Sequence, residues 1–496
     1  MRGSGDIVLV SCYEPGFQPV AVASPAAFLR AAGYAPLTID LAVEELADRG
    51  LERLTRARLV AISAPMHTAL SIGLRLAARV RTINPGAHVC FFGLYAVLNQ
   101  RLLLRRADPR PIADTVLGVE CEQELVALAT SLRDATGGRA GDARGNRDDR
   151  AGDGDGEPAA RLPPLHRLPF LVPDRGDLPA LDRYARLLVG DERRVAGHVE
   201  ATRGCKYMCR HCPIPPVYQG RFFAVPVDVV LEDARRQIAA GARHITFGDP
   251  DFLNGAKHAM AVARGLHAAH PAVTFSFTAK VEHIVAHRAL FAELATLGCV
   301  FVVSAVESLS DPILVLLDKG HTRADVVEAL DIARAAGISL RPTFVAFTPF
   351  TTIDDYLELC RFIRAHDLEQ EVDPIQLAIR LLIPPGSLLL QRDELAPFLL
   401  DLDEQGLTHR WRHPDPRMDQ LEATIAALVE QSARENESAH TTFARIHAAA
   451  ARAAGQPEPP VTLKRRRAAP PHLSEPWFCC AQPTQSQLGK ASDPDL

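Results

Sequence analysis

Residues 201–218 read ATRGCKYMCRHCPIPPVY and place Cys205, Cys209 and Cys212 within eight positions, directly behind the strand-like run VAGHVEAT at 195–202. Three thiols are one fewer than a structural zinc ion or a closed iron–sulfur cluster takes. Spaced C-x3-C-x2-C on one loop, thiolates can hold three corners of a cubane cluster and leave the fourth iron to a small molecule. The competing reading is a zinc site completed by His211. That residue is wedged between Cys209 and Cys212, and neighbours so close in sequence do not readily converge on one tetrahedron.

Outward from this loop the pattern repeats. Strand-like runs stand at 195–202, 244–249, 274–279, 300–307, 339–347 and 374–383, with helical periodicity at 227–240, 256–269, 287–297, 322–336 and 353–366. Six such units predict a partial parallel barrel over 190–390, with reactive groups at the carboxyl ends of its strands. Residues 391–455 read as a helical extension and 456–496 as an irregular tail. Upstream, runs at 6–11, 36–40, 58–63, 88–93 and 114–120 alternate with helices such as 23–33 and 70–83. This predicts a doubly wound parallel sheet over 1–133, whose ligands sit beyond the strand ends. Residues 134–162 are dominated by Gly, Asp, Arg and Ala without aromatics, and predict a disordered linker.

Composition narrows the function. The net charge of −5 leaves no global nucleic-acid footprint. No stretch nears 18 uninterrupted apolar residues, and MRGSGDIVLVSCYEPG lacks the order of a signal peptide. A cytoplasmic location is therefore expected, where the ten cysteines stay reduced. Cys90, Cys299 and Cys360 lie in apolar runs and read as core; Cys12 and Cys121 end strands of the first domain, where core is again the expectation.

The three-cysteine loop after the first strand of a six-unit barrel resembles the radical S-adenosylmethionine (SAM) superfamily, and Arg203-Gly204 fits that family's lead-in. The resemblance covers roughly 195–390. It implies a 4Fe–4S cluster on Cys205, Cys209 and Cys212, with SAM chelated to the open iron and cleaved to a 5′-deoxyadenosyl radical by an electron from a flavodoxin- or ferredoxin-type reductant. FGDPDF at 247–252 stands where members carry a Gly-Gly-Glu-like segment. Gly248 would allow close approach there, and either Asp249 or Asp251 would hold the methionine ammonium; a helix cap is the plain alternative for either acid. SAVES at 304–308 puts Ser304, Glu307 and Ser308 at the expected ribose contact. Arg341 is the candidate partner of the SAM carboxylate, Lys280 shares its ambiguity with a solvated face, and IPPGS (383–387) resembles a turn of cobalamin-associated members.

A doubly wound domain ahead of such a barrel resembles the cobalamin-binding arrangement. Where that family carries Asp-x-His-x-x-Gly, this chain reads Ser11-Cys12-Tyr13-Glu14-Pro15-Gly16: Gly16 is in frame and Tyr13 replaces the histidine. Three readings stand: cobalamin held without that ligand, a domain retained for packing, or another ligand in the crevice. His67 is a conceivable replacement ligand, with polar surface as its plain alternative. EPWFCCAQP (475–483) resembles the tail of a radical SAM subgroup named for Cys-Cys-Ala-Glu-Pro, with Gln482 replacing the acid. This implies a nucleophilic or redox role for Cys479 and Cys480 at the substrate side of the barrel mouth, with Trp477 and Phe478 as anchors.

The resulting expectation is an enzyme acting on a small-molecule substrate, without a membrane or nucleic-acid partner. Two alternatives differ in kind. A methylthiotransferase-like RNA-modifying enzyme would need a second cluster on Cys12, Cys90 and Cys121. A metal or corrinoid sensor would cleave no SAM.

Overall fold

The computed structural model describes residues 1–14, 16–46, 48–105, 110–137, 165, 167–459 and 469–475. In the N-terminal domain, β1 (Ile7–Ser11), β2 (Leu37–Asp40), β3 (Leu59–Ser63), β4 (His88–Phe92) and β5 (Thr115–Leu117) form a parallel sheet in the order β2-β1-β3-β4-β5. Strand alternation sorts the side chains onto two faces. Ile7, Leu9, Leu59, Ala61, Cys90 and Phe92 pack with the helices Val20–Ala31 and Glu122–Gly137. Val8, Val10, Val60, Ile62, Val89 and Phe91 pack with the helix His67–Ile83. Both faces are covered, which is why these strands are apolar throughout. The last helix runs to Gly137, four residues into the expected linker; the rest of that linker, 138–162, lies outside the described residues.

The second domain is built on a curled seven-stranded sheet. β6 (Arg186–Val189) pairs antiparallel with β7 (Glu192–Val199). The short strands β8 (Thr202–Gly204) and β9 (Phe222–Ala224) form a separate antiparallel ribbon around the cysteine loop. β10 (His244–Phe247), β11 (Thr274–Thr278), β12 (Cys299–Glu307) and β13 (Ser339–Phe344) continue parallel from β7. The expected sixth strand at 374–383 does not form: a 3-10 turn occupies Pro374–Leu377, and a single bridge joins Arg380 to Phe347. Its apolar residues Ile379, Leu381 and Ile383 instead fill a core with Leu389, Leu395 and Trp411. The extension is helical only in its second half, Pro416–Arg434 and Ala439–Ala453; before it comes a hairpin of β14 (Leu399–Asp403) and β15 (Thr408–Trp411). Finally β16 (His472–Leu473), from the expected irregular tail, adds to β6 at the sheet edge, giving the order β13-β12-β11-β10-β7-β6-β16.

The domains are joined by buried charge. The Arg203 guanidinium, 12% exposed, meets Glu122 at 2.6 Å and Glu120 at 3.3 Å from the N-terminal domain, and Glu200 at 2.9 Å from its own. Tyr218 donates to Glu120 at 2.8 Å and Ser24 to Glu122 at 2.6 Å. Removing one partner of such a group leaves the other charges buried and unpaired. We expect Arg203→Ala to cost about 3–5 kcal/mol, seen as a lowered thermal midpoint and faster proteolysis at the domain seam; an unchanged midpoint would contradict this account.

Candidate active site

The cysteine loop is fixed from four sides. Gly204 enters it at φ +79°, and a Cβ there would stand 2.4 Å from Tyr218 Cδ1 and 2.6 Å from Arg221 O, so only glycine fits. Asp249, two residues past β10, accepts from the amides of Ala201 and Thr202 at 2.7 and 2.6 Å. The Arg210 amide donates to Leu317 O, and the Arg210 carbonyl accepts from Leu389 N and Ser387 Oγ. The IPPGS turn thus grips the loop. Behind the loop, Pro215 and Pro216 start the short helix Ile214–Tyr218, where a missing N–H costs nothing.

Cys205 and Cys212 are partly exposed and Cys209 is buried. Burial pushes the Cys205 thiol up, and Asn254 Oδ1 lies 3.8 Å from its sulfur. His211 does not complete the set: its Nε2 is 3.1 Å from Glu307 Oε1. Among the described residues no three His, Cys, Asp or Glu side chains converge as the ligands of a single ion would. Three thiols on one loop fit an iron–sulfur cluster with one iron left to another ligand.

The two acids left open by the sequence have different surroundings. Asp251 is fully engaged. It caps the 3-10 turn through Leu253 N at 3.0 Å and accepts from Lys280 N at 3.4 Å. His283 Nδ1 lies 2.7 Å from its Oδ2, off the line of a hydrogen bond. Asp249 uses one oxygen on the two amides; Oδ2 is buried without a partner, and burial raises this carboxyl well above the usual range. Asn254 Nδ2 is likewise buried and unpartnered. Asn254 stands beside Cys205, and Asp249 is tied to the backbone that leads into the cysteine loop.

Five of the expected contact residues have neighbours within the protein itself. Gly248 makes room for His198, whose ring atoms would be 2.1 Å from a Cβ at that position, so protein fills the approach assigned to a cofactor. His198 stacks on Phe17 of the N-terminal domain at 4.3 Å and is held neutral by burial. Ser304 shares the parity of Val302 and Val306, which pack into the helix-facing core, so alternation turns it away from the barrel interior. Arg341 pairs with Asp373 at 3.0 Å and lines a cavity with His472, Leu473 and Glu475, so its carboxylate is internal. Gly16, at φ +65°, accommodates the tail: a Cβ there would be 2.7 Å from Glu475 Cβ. Tyr13 packs against the N-terminal core.

Glu307 ends β12 after a register shift and has φ +68°, a rare conformation for a side chain of its size. Its carboxylate holds His211 and, at 3.4 Å, Lys319. Against burial, Lys319 and His211 pull it down from 4.5 to about 2. A second chain links the loop to the third barrel strand. Tyr207 Oη is 2.8 Å from His283 Nε2, and Lys280 Nζ lies 3.3 Å from the Tyr207 ring centroid and 3.2 Å from Glu282. Tyr207, His283 and Lys319 escaped the sequence reading: Tyr207 was passed over between two cysteines, His283 lies in the helix beyond β11, and Lys319 follows the helix Asp311–Leu317, where no motif marks it.

The Glu307 pair gives a pH test with a definite sign. A carboxylate lowered in the folded state stabilises above its ordinary value, and that stability is lost as pH falls from 4.5 towards 2. Glu307→Gln should be less stable at neutral pH by about 3–5 kcal/mol, and the deficit should shrink across that window. A deficit independent of pH, measured by denaturant titration, would count against the ion pair.

The same segment matches known proteins. Residues 199–363 match the model of the radical SAM superfamily. The chain is 27% identical over 232 residues to the tRNA-2-methylthio-N(6)-dimethylallyladenosine synthase of Geobacter sulfurreducens, covering 41% of this chain and 50% of that protein. It is 26% identical over 186 residues to the ribosomal protein uS12 methylthiotransferase of Porphyromonas gingivalis, covering 34% and 40%. The chain thus spans half or less of these relatives. Among solved structures, the cobalamin-dependent SAM radical enzyme OxsB with aqua-cobalamin bound superposes with a TM-score of 0.66 at 16% identity, over 86% of this chain and 67% of that one. The radical SAM methyltransferase TsrM of Kitasatospora setae, with tryptophan and a SAM analogue, gives 0.55 at 18%, over 73% and 71%. At these identities the structural likeness is one of fold, and it extends across both domains. Residues 199–363 are thus a radical SAM domain, and the fold ahead of it is like that of the cobalamin-dependent radical SAM enzymes.

Proposed function

We propose that this protein binds a 4Fe–4S cluster through Cys205, Cys209 and Cys212 and uses SAM to generate a radical on a small-molecule substrate. The observation that carries this is the three-thiol loop just beyond the carboxyl end of β7, with Asp249, whose second oxygen has no partner, holding the backbone that leads into it. When bound, the cluster and SAM supply an electron and a 5′-deoxyadenosyl radical. The chain's own residues hold and shield that chemistry. Asp249 Oδ2 takes the methionine ammonium, and Asn254 Nδ2 donates to a neighbouring oxygen. Glu307 and His211 hold the loop in place. The net charge of −5 favours a small molecule over nucleic acid, with a flavodoxin- or ferredoxin-type protein as reductant.

Cobalamin is proposed for the N-terminal crevice on the fold it shares with OxsB and TsrM. A methylthiotransferase-type second cluster finds less support. Cys12 packs on one face of the N-terminal sheet, and Cys90 and Cys121 pack on the other.

Cys479 and Cys480 lie outside the described residues. We place their work at the substrate side of the barrel mouth, and the direction of β16 supports this. Antiparallel to β6, it runs parallel to β7, so the chain leaves Glu475 heading towards the carboxyl ends of the barrel strands.

Reconstituted under reducing conditions with SAM, the wild type should release 5′-deoxyadenosine and Cys209→Ala should release none; equal yields would refute the cluster assignment. Cys480→Ser should keep that release at the wild-type level. A loss as complete as that of Cys209→Ala would move the tail cysteine from the substrate side onto the cluster.

A further inference from the structure

We infer that the outer face of the cysteine loop is the docking surface for the electron donor, an acidic one-electron carrier protein. The inference rests on the radical SAM reading proposed above and assigns to its reductant a surface of this chain.

Exposure alternates along the loop. Tyr207 turns inward to His283 and Cys209 is buried, while Lys206 and Met208 stand exposed. The loop therefore has two faces: the inner one is tied to the barrel, and the outer one meets solvent with Met208 41% exposed. Neighbouring segments continue the outer face. A Cβ on Gly220 would lie 3.5 Å from both Met208 Sδ and Lys206 O, so the turn carrying Arg221 packs alongside. Arg210 donates to the carbonyls of Val315 and Leu316 at 3.1 and 2.7 Å. This seats the end of the helix Asp311–Leu317 against the loop, with Val315 75% exposed. Five large apolar side chains stand exposed among the described residues, and two of them are at this loop. Apolar side chains grouped in water and rimmed by polar ones mark an interaction surface.

Charge selects the partner. The chain carries a net charge of −5, yet this face is cationic. Among the described residues neither Lys206 nor Arg221 has an acidic partner: Arg221 donates to Gln219 at 3.4 Å, and Lys206 lies 5.3 Å from the Tyr207 ring centroid. Of the carboxylates beside the loop, Asp318 faces Arg210 at 3.7 Å and Glu282 faces Lys280 at 3.2 Å. A cationic island on an acidic protein steers an acidic partner and fixes its orientation. Methionine and arginine around a small apolar centre have the make-up of a transient electron-transfer interface. The partly exposed Cys205 and Cys212 belong to the same loop, so a carrier seated here reaches the cluster from outside and leaves the barrel to the substrate. One electron passes from the carrier to the cluster, and no bond is made or broken.

The test uses the full chain loaded with its cluster and SAM, and two reductants: dithionite, which needs no docking surface, and a reduced flavodoxin of acidic surface. 5′-Deoxyadenosine release is measured with each, and the flavodoxin Kd is measured separately by calorimetry at low salt. We expect Lys206→Glu with Arg221→Glu, and in a second variant Val315→Asp, to weaken the flavodoxin Kd and raise its half-maximal concentration about tenfold. Added salt should weaken the wild-type Kd as well. With dithionite both variants should match the wild type. Flavodoxin binding and flavodoxin-driven release unchanged in both variants overturn the inference. So does an equal loss with dithionite, which would make these residues supports of the cluster, and so does a wild type that responds to dithionite but not to flavodoxin. No release from the wild type with either reductant overturns the radical SAM reading itself.

Discussion

The Arg203 guanidinium, buried among Glu120, Glu122 and Glu200, is the contact on which the rest of the arrangement depends. It sits two residues before Cys205. The N-terminal domain therefore does not merely pack beside the cysteine loop; it holds the backbone that leads into it. Three carboxylates around one cation leave an excess of buried negative charge, and hydroxyls of Tyr218 and Ser24 spread it. Burial raises the Glu120 carboxyl above its ordinary range, and the Arg203 guanidinium opposes that rise. A crevice ligand and a cluster ligand would thus share one rigid seam.

Around that seam each stretch of the loop answers to a different strand end. Thr202 is held by Asp249 from β10, Tyr207 by His283 beyond β11, and His211 by Glu307 from β12. Arg210 is held by the turn at 387–389. A loop carrying three thiols has little apolar surface of its own to bury, so its shape comes from these polar ties. The ties of Thr202 and His211 are buried and therefore costly to break.

The strands of both sheets were legible because parallel strands covered on two faces must be apolar along their whole length. The same rule misled at 374–383. There an apolar run packs beneath Trp411 and makes only one bridge, at Arg380. β16 was invisible, because two residues flanked by Pro470, Pro471 and Ser474 carry no periodicity. In the site, cysteine spacing marked the loop directly, but partner choice did not follow from spacing. Asp249 and Asp251 are equivalent on paper, and only the local turn decides which one caps it. Ser304 was lost to strand parity, and Gly248 to the impossibility of knowing which ring a missing Cβ accommodates.

The pairing of β16 with β6 also has a history in time. A ribosome delivers β6 and the barrel strands early, yet the edge of their sheet receives its last neighbour only when the far end of the chain emerges. Until then β6 exposes an unpaired row of amides and carbonyls, an open template for any passing extended segment. Contacts between distant parts of a chain form late and slowly. The cysteine loop can therefore take its shape before the barrel edge is sealed, and the nascent protein has an interval in which a cluster could be delivered to a sheet still open at one side.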